Sequence, residues 1–251
     1  MNEPSCNHNQ QIIELYTALA RHPDRDFGWD KGRQNALNHG YKDEWIERLP
    51  TDLWAYCAAV GNPFSTGEFK AGASVLDLGC GAGVDLCVAA LLVGAQGTAI
   101  GVDITPAMVR LARRHADQAS LANIVVHEAS IEQLPLPDAS VDIVISNGSI
   151  NLAGSKQKVF REALRVLRPG GHLYIADMIR GEAYELACSG EKGSWADCVA
   201  GTLDKQELLD IMKACGFHAP EFLAWTHYRT ASTTAGATFR ASKAPDNGHA
   251  G

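Results

Sequence analysis

Three glycines in five residues, Gly79, Gly81 and Gly83, constrain this chain more than any other feature. They follow directly on Val75-Leu-Asp-Leu78, a stretch apolar except for Asp77, which reads as a short buried parallel strand. Neither a strand nor a helix interior carries glycine at that density. Such a run makes a tight turn whose backbone can approach a ligand closely, with a helix beginning just after it. Ile100 to Val102 form a second strand about one βαβ unit later, and that strand ends on Asp103. A carboxylate at that position can accept hydrogen bonds from both hydroxyls of a ribose.

The spacing separates two cofactor classes. Dinucleotide binders favour G-x-G-x-x-G, whereas here the pattern is G-x-G-x-G with Asp77 two residues before the first glycine. This combination resembles the first motif of class I S-adenosylmethionine (SAM)-dependent methyltransferases. The resemblance implies an α/β fold: a doubly wound, seven-stranded, mostly parallel, Rossmann-like sheet with a helical N-terminal cap. A doubly wound domain for some other nucleotide is the plainer alternative.

A length of 251 residues suits a single domain, residues 1–251. Net charge is −7 and no lysine- or arginine-rich run stands out, which disfavours a nucleic-acid substrate. Arg110, Arg113 and Arg114 read as a solvated helix face. No run approaches the roughly 20 apolar residues of a membrane helix. The N-terminus lacks the basic and apolar regions of a signal peptide, so the expectation is a cytoplasmic protein without a membrane partner. Nothing in the sequence sets an oligomeric state. Seven cysteines, an odd number with no C-x-x-C pair, argue against a disulfide framework and against a zinc ribbon or thioredoxin-like site; no metal is expected. Cys80 and Cys87 read as small buried residues.

In chain order, residues 1–9 are polar and read as disordered. A helical extension or cap spans 10–64, with helices expected over Gln11 to Ala20, Gly32 to His39 and Asp43 to Leu49. The core spans 70–243. It contains helices over Val84 to Val93, after Thr105-Pro106, over Lys156 to Leu167 and over Leu203 to Cys215. Asp204 with Glu207 suits a capping box and Gly216 the C-terminal left-handed position. Further strands are expected at Ile124 to Val126, Val141 to Ser146, His172 to Ala176, Glu221 to Tyr228 and Thr233 to Ala241. Pro169-Gly-Gly171 reads as a helix stop. Residues 178–202 form an irregular substrate-side region, and 244–251 a loose tail.

Five stretches together look like arsenite methyltransferases: Ile145-Ser-Asn-Gly-Ser-Ile-Asn-Leu152, Lys156 to Glu162, Arg165 to Gly171, Gly101-Val-Asp-Ile-Thr-Pro106 and Asp197-Cys-Val-Ala-Gly-Thr-Leu203. The resemblance covers about Gly61 to Lys243. It implies a SAM loop of Asp77, Gly79, Cys80, Gly81 and Gly83, with Asp103 on the ribose. Ile104, Met108 and the Ile131-Glu132 pair would lie around the adenine, and Asn147 near the methionine end. Cys198 would be a thiolate for trivalent arsenic, and the product of the cofactor would be S-adenosylhomocysteine. The partners would be a small-molecule substrate and a thiol reductant. Arsenic(III) is soft and is held by thiolates, which leave its lone pair free to attack a methyl group.

The thiolate set of that family is incomplete here. Val60, Gly148 and the stretch Ser232 to Thr238 stand where the family often has cysteine. Cys57 and Cys188 are candidate substitutes, from their closeness in sequence to Val60 and Cys198. Two other readings stay open: a methyltransferase for another small acceptor (a thiol, a selenium or tellurium species, a natural-product hydroxyl or amine), and a binding protein for SAM or a metalloid without turnover. His39, His127, His172 and His227 could each serve as a base, and the sequence singles out none.

Overall fold

The computed structural model describes residues 5–181, 202–231 and 233–246. Seven strands form one sheet: β1 (Ser74–Leu78), β2 (Thr98–Asp103), β3 (Ile124–Glu128), β4 (Val141–Asn147), β5 (Leu167–Arg180), β6 (His218–Trp225) and β7 (Thr234–Ser242). Their order is β3-β2-β1-β4-β5-β7-β6. Strands β1 to β5 run parallel, and β7 is antiparallel to both neighbours. The order reverses between β1 and β4, the point where open α/β sheets bind ligands beyond their carboxyl ends. Leu78 is level with Val102 on one side and with Ser146 on the other. The residues that follow these positions therefore emerge together at that edge.

Helices α4 (Val84–Val93), α5 (Pro106–Gln118), α6 (Lys156–Val166) and α7 (Lys205–Ala214) follow β1, β2, β4 and β5 in turn. α4 is almost wholly buried, as its run of Ala, Leu and Val requires. α7 carries the expected capping box, with Asp204 accepting from the Glu207 amide and Glu207 from the Asp204 amide. Three further helices, α1 (Ser5–Arg21), α2 (Arg33–Asn38) and α3 (Asp43–Arg48), precede the sheet. Among the described residues, no helix is long and apolar enough to cross a membrane.

Two expectations need correction. The polar residues from Ser5 onward belong to α1, because Tyr16 and Leu19 farther along that helix pack against Met108 and Leu111 of α5 and hold the whole segment. β5 is also far longer than His172 to Ala176. Pro169-Gly-Gly171 does not lie outside it. Leu167 pairs with Val141 and His172 with Ile143, so residues 168–171 bulge within the strand. The bulge is tied to the residue after β7 by Gly170 N to Lys243 O at 3.0 Å and Lys243 N to Gly171 O at 2.9 Å. The expected strand ends at Tyr228 and Glu221 also shift: β6 starts at His218 and stops at Trp225.

Candidate active site

The glycine turn bridges β1 and α4. Gly79, Gly81 and Gly83 all have positive φ, at 73°, 52° and 93°. Each serves a different need. A side chain on Gly79 would collide with Ser149, whose hydroxyl donates to the Leu78 carbonyl at 2.5 Å. Gly81 faces open space, with nothing within 4 Å of where its Cβ would stand. Gly83 caps α4, and a Cβ there would stand only 3.1 Å from Ala112 Cα of α5. His115 of α5, fully buried, braces the turn by donating from Nδ1 to the Ala82 carbonyl at 2.8 Å.

Asp103 closes the opposite side. Its Oδ2 accepts from Gly81 N at 2.9 Å and its Oδ1 from Thr105 N at 2.7 Å. The first bond links the β2 end to the glycine turn, and the second starts α5. Burial raises its carboxyl pKa, and the two backbone donors work against that rise. A carboxylate oxygen has lone pairs beyond one amide contact, so a vicinal diol can still be accepted. Ile104, Met108 and Ile131 add apolar walls and Glu132 a polar rim to one cavity with Asp77, Gly79, Cys80, Gly81 and Asn147. Of the expected cofactor residues, Gly83 alone does not line it; it acts through the turn.

The floor carries an unusual amount of negative charge. Asp77 is 2% exposed, and its Oδ2 has no hydrogen-bond partner. Burial pushes its pKa well up, and the nearby Asp85 and Asp103 charges push the same way. An unpaired buried acceptor among like charges is costly unless a cationic donor binds there. The cavity therefore fits a ligand with a nucleoside at one end and a positive charge at the other. Among the described residues, no group of three or more His, Cys, Asp or Glu could hold a metal ion.

The segment before β1 also walls the cavity. Tyr16 and Leu19 reach it beside Met108, and Trp29, Tyr41, Tyr56 and the turn at Cys57 to Val60 line it too, with Met178 of β5 and Tyr228. Cys57 lines the cavity but is 2% exposed, and its thiol lies 3.6 Å from Asn35 Oδ1. Burial, with the Asp85 charge behind it, holds that thiol protonated at neutral pH. Cys80 is likewise raised by burial, and Cys87 is pushed up to about 12. Cys188 and Cys198 lie outside the described residues.

Residues 69–216 match a family model described as a methyltransferase domain. The chain belongs to that family. Its sequence is 40% identical over 161 residues to an arsenite methyltransferase of Halobacterium salinarum, covering 64% of this chain and 41% of that protein. It is 36% identical over 160 residues to the human arsenite methyltransferase, covering 59% and 42%. The chain thus spans less than half the length of these relatives. Among solved structures it is similar to an arsenic(III) S-adenosylmethionine methyltransferase of Chlamydomonas reinhardtii, at 28% identity and a TM-score of 0.63, covering 82% of this chain and 73% of that one.

Sequence reasoning missed Asp85, Tyr41 and the aromatic wall. One signal was present. Asp85 is the single charged residue in the apolar run Val84 to Val93. A lone carboxylate on a buried helix needs a partner, and Tyr41 supplies one at 2.5 Å.

Proposed function

We propose that this methyltransferase moves the methyl group of S-adenosylmethionine to thiolate-bound trivalent arsenic, arsenite or its methylated form. The observation that carries the acceptor is the 35–40% identity to arsenite methyltransferases over about 160 residues. The cofactor reading rests on the cavity. Asp77 Oδ2 would receive the ammonium of the methionine end, Asp103 the ribose hydroxyls, and the Gly79 to Gly81 backbone would pass closely beneath the nucleoside. When bound, the cofactor supplies a sulfonium-activated methyl and leaves as the neutral thioether S-adenosylhomocysteine. No general acid is then needed for departure.

The protein's task is alignment. Holding the arsenic lone pair, methyl carbon and sulfonium in line turns an encounter into a positioned step. Cys198 would be one thiolate, with Cys57 and Cys188 as substitutes for the ligands that Val60 and Gly148 do not provide. Cys57 would ionise only as the arsenic–sulfur bond forms, its proton leaving with a hydroxide or thiol displaced from the metalloid. A thiol reductant as partner and a reducing, cytoplasmic setting follow from the same chemistry.

The test is incubation with SAM, arsenite and excess thiol, with S-adenosylhomocysteine as readout. Turnover should depend on arsenite and fail in Cys198→Ser. Full arsenite methylation by both Cys57→Ser and Cys188→Ser would end the substitute-ligand reading. Turnover that survives Cys198→Ser would point to a different acceptor.

A further inference from the structure

Asp77 and Asp85 both line the cavity, but the protein treats them differently. Asp77 keeps one oxygen without a partner. Asp85 has both oxygens engaged. The Tyr41 hydroxyl donates to Oδ1 at 2.5 Å, and Asn147 Nδ2 donates to Oδ2 at 3.0 Å. Nδ2 of Asn147 also lies 3.0 Å from the Gly61 carbonyl and 3.1 Å from the Tyr41 oxygen. Its Oδ1 accepts from Val60 N at 2.9 Å.

The orientation of this amide is fixed by its surroundings. If Asn147 were turned over, its carbonyl would face the Asp85 carboxylate and the Gly61 carbonyl. Its NH2 would face the Val60 N–H. Three attractive contacts would become repulsive. Asp85 is thus one of three groups that set which way Asn147 points, and Asn147 anchors Val60 and Gly61 beside a second anchor, Thr226 Oγ1 to the Val60 carbonyl at 2.6 Å. The hub joins the first turn of α4, the end of β4, Tyr41 two residues before α3, and the turn at 57–61. Burial raises the Asp85 pKa to about 6, and the Tyr41 and Asn147 hydrogen bonds hold it down against that rise. The same contacts that orient Asn147 favour the charged form of Asp85.

We propose that Asp85 is a positioning residue for the acceptor: acting through Tyr41 and Asn147, it locks the 57–61 turn against the cofactor loop. This rests on the methyl-transfer reading above. A wall displaced by about 1 Å at a reacting centre can cost on the order of a hundredfold in rate. Because both its oxygens are taken by the protein, Asp85 reaches the cofactor only through its charge on Asp77, and its main effect is on alignment.

The test uses the full chain with Asp85→Asn, Tyr41→Phe and the double variant. S-adenosylhomocysteine affinity is measured by calorimetry, and kcat and KM for arsenite with excess thiol at saturating SAM. For Asp85→Asn we expect a kcat/KM loss of roughly 10- to 100-fold, well beyond any accompanying loss of cofactor affinity. Tyr41→Phe should show a smaller loss at unchanged affinity, and it carries the test if Asp85→Asn does not fold. The double variant should be no worse than Asp85→Asn alone, because both act through one amide. A parallel fall in cofactor affinity, or additive losses, would overturn the proposal. So would unchanged turnover in both single variants.

A second readout needs no turnover. Hydrogen exchange of the Val60 amide, which donates to Asn147 Oδ1, should be at least about tenfold faster in Asp85→Asn once the turn is released. If wild type turns over no arsenite yet exchange at Val60 accelerates, the acceptor assignment has failed and the hub stands. If exchange at Val60 is unchanged, the hub fails.

Discussion

Replacing Asp77 by Asn should make this protein more stable and a poorer binder at once. The substitution keeps the shape and removes the charge. In the ligand-free protein that charge is 2% exposed, has an unpartnered oxygen and faces Asp85 and Asp103. Leaving a buried polar group unpaired costs about 1–3 kcal/mol, and more when it is charged. At a pH high enough to ionise that carboxyl, neutralising it should recover on the order of 1 kcal/mol, or roughly 2–4 °C in Tm for a domain of this size, and the gain should vanish as the pH falls and Asp77 takes up its proton. Binding should move the other way. A hydrogen bond to a charged group contributes about 1.5–3 kcal/mol, and 1.4 kcal/mol is tenfold in affinity, so SAM and S-adenosylhomocysteine should each bind roughly 10- to 150-fold more weakly. Differential scanning calorimetry reads the first effect and isothermal titration the second. Because the raised pKa of Asp77 must fall when an ammonium arrives, binding to wild type should release protons and tighten as pH rises. The titration enthalpy should therefore depend on the ionisation enthalpy of the buffer, and this dependence should shrink in Asp77→Asn. A variant that binds both ligands like wild type, or that melts lower than wild type, would refute this reasoning.

Gly81→Ala should cost only about 1 kcal/mol of stability, because the Cβ meets nothing and only the left-handed backbone is strained. Its cofactor affinity should still fall at least about tenfold, since that Cβ projects into the cavity where the backbone must be approached closely; thermal unfolding with and without S-adenosylhomocysteine reads both. Asp177 is buried beneath Asn151 and beside Lys156, and burial raises its pKa to about 6. Its folded value lies above its unfolded one, so its contribution to stability is greatest at low pH and is lost as pH rises through about 6. From pH 7.5 down to 5.5 it should add on the order of 1 kcal/mol, seen as a smaller Tm difference between those pH values in Asp177→Asn than in wild type. Asp204→Ala removes the α7 capping box and should lower stability by about 1 kcal/mol in the same assay, with cofactor affinity unchanged.

The cofactor end of the site was legible in the sequence because its determinants are local. Asp77, the glycines and Asp103 lie within one βαβ unit, and each residue type is dictated by what the backbone must do there. α4 was bounded correctly at Val84 and Val93 for the same reason, being an apolar run between glycines. The acceptor end was not legible. Tyr41 meets Asp85 across 44 residues and Val60 meets Asn147 across 87, and no local pattern announces such pairs. The full length of β5 is hidden because Pro169-Gly-Gly171 carries a turn composition. Its place in the sheet is set by Lys243, far along the chain, and by the register with β4. α1 was started late because its first turn is polar; what holds the helix is the packing of Leu19 and Tyr16 onto α5.

The most direct test of the account follows the methyl group itself. The protein is incubated with SAM labelled in its methyl group, arsenite and excess thiol, and the arsenic species are resolved by mass spectrometry. The account predicts methylated arsenic that carries the label, in proportion to the S-adenosylhomocysteine formed. Labelled SAM bound at the Asp77–Asp103 cavity, with no label on any arsenic species, would contradict it.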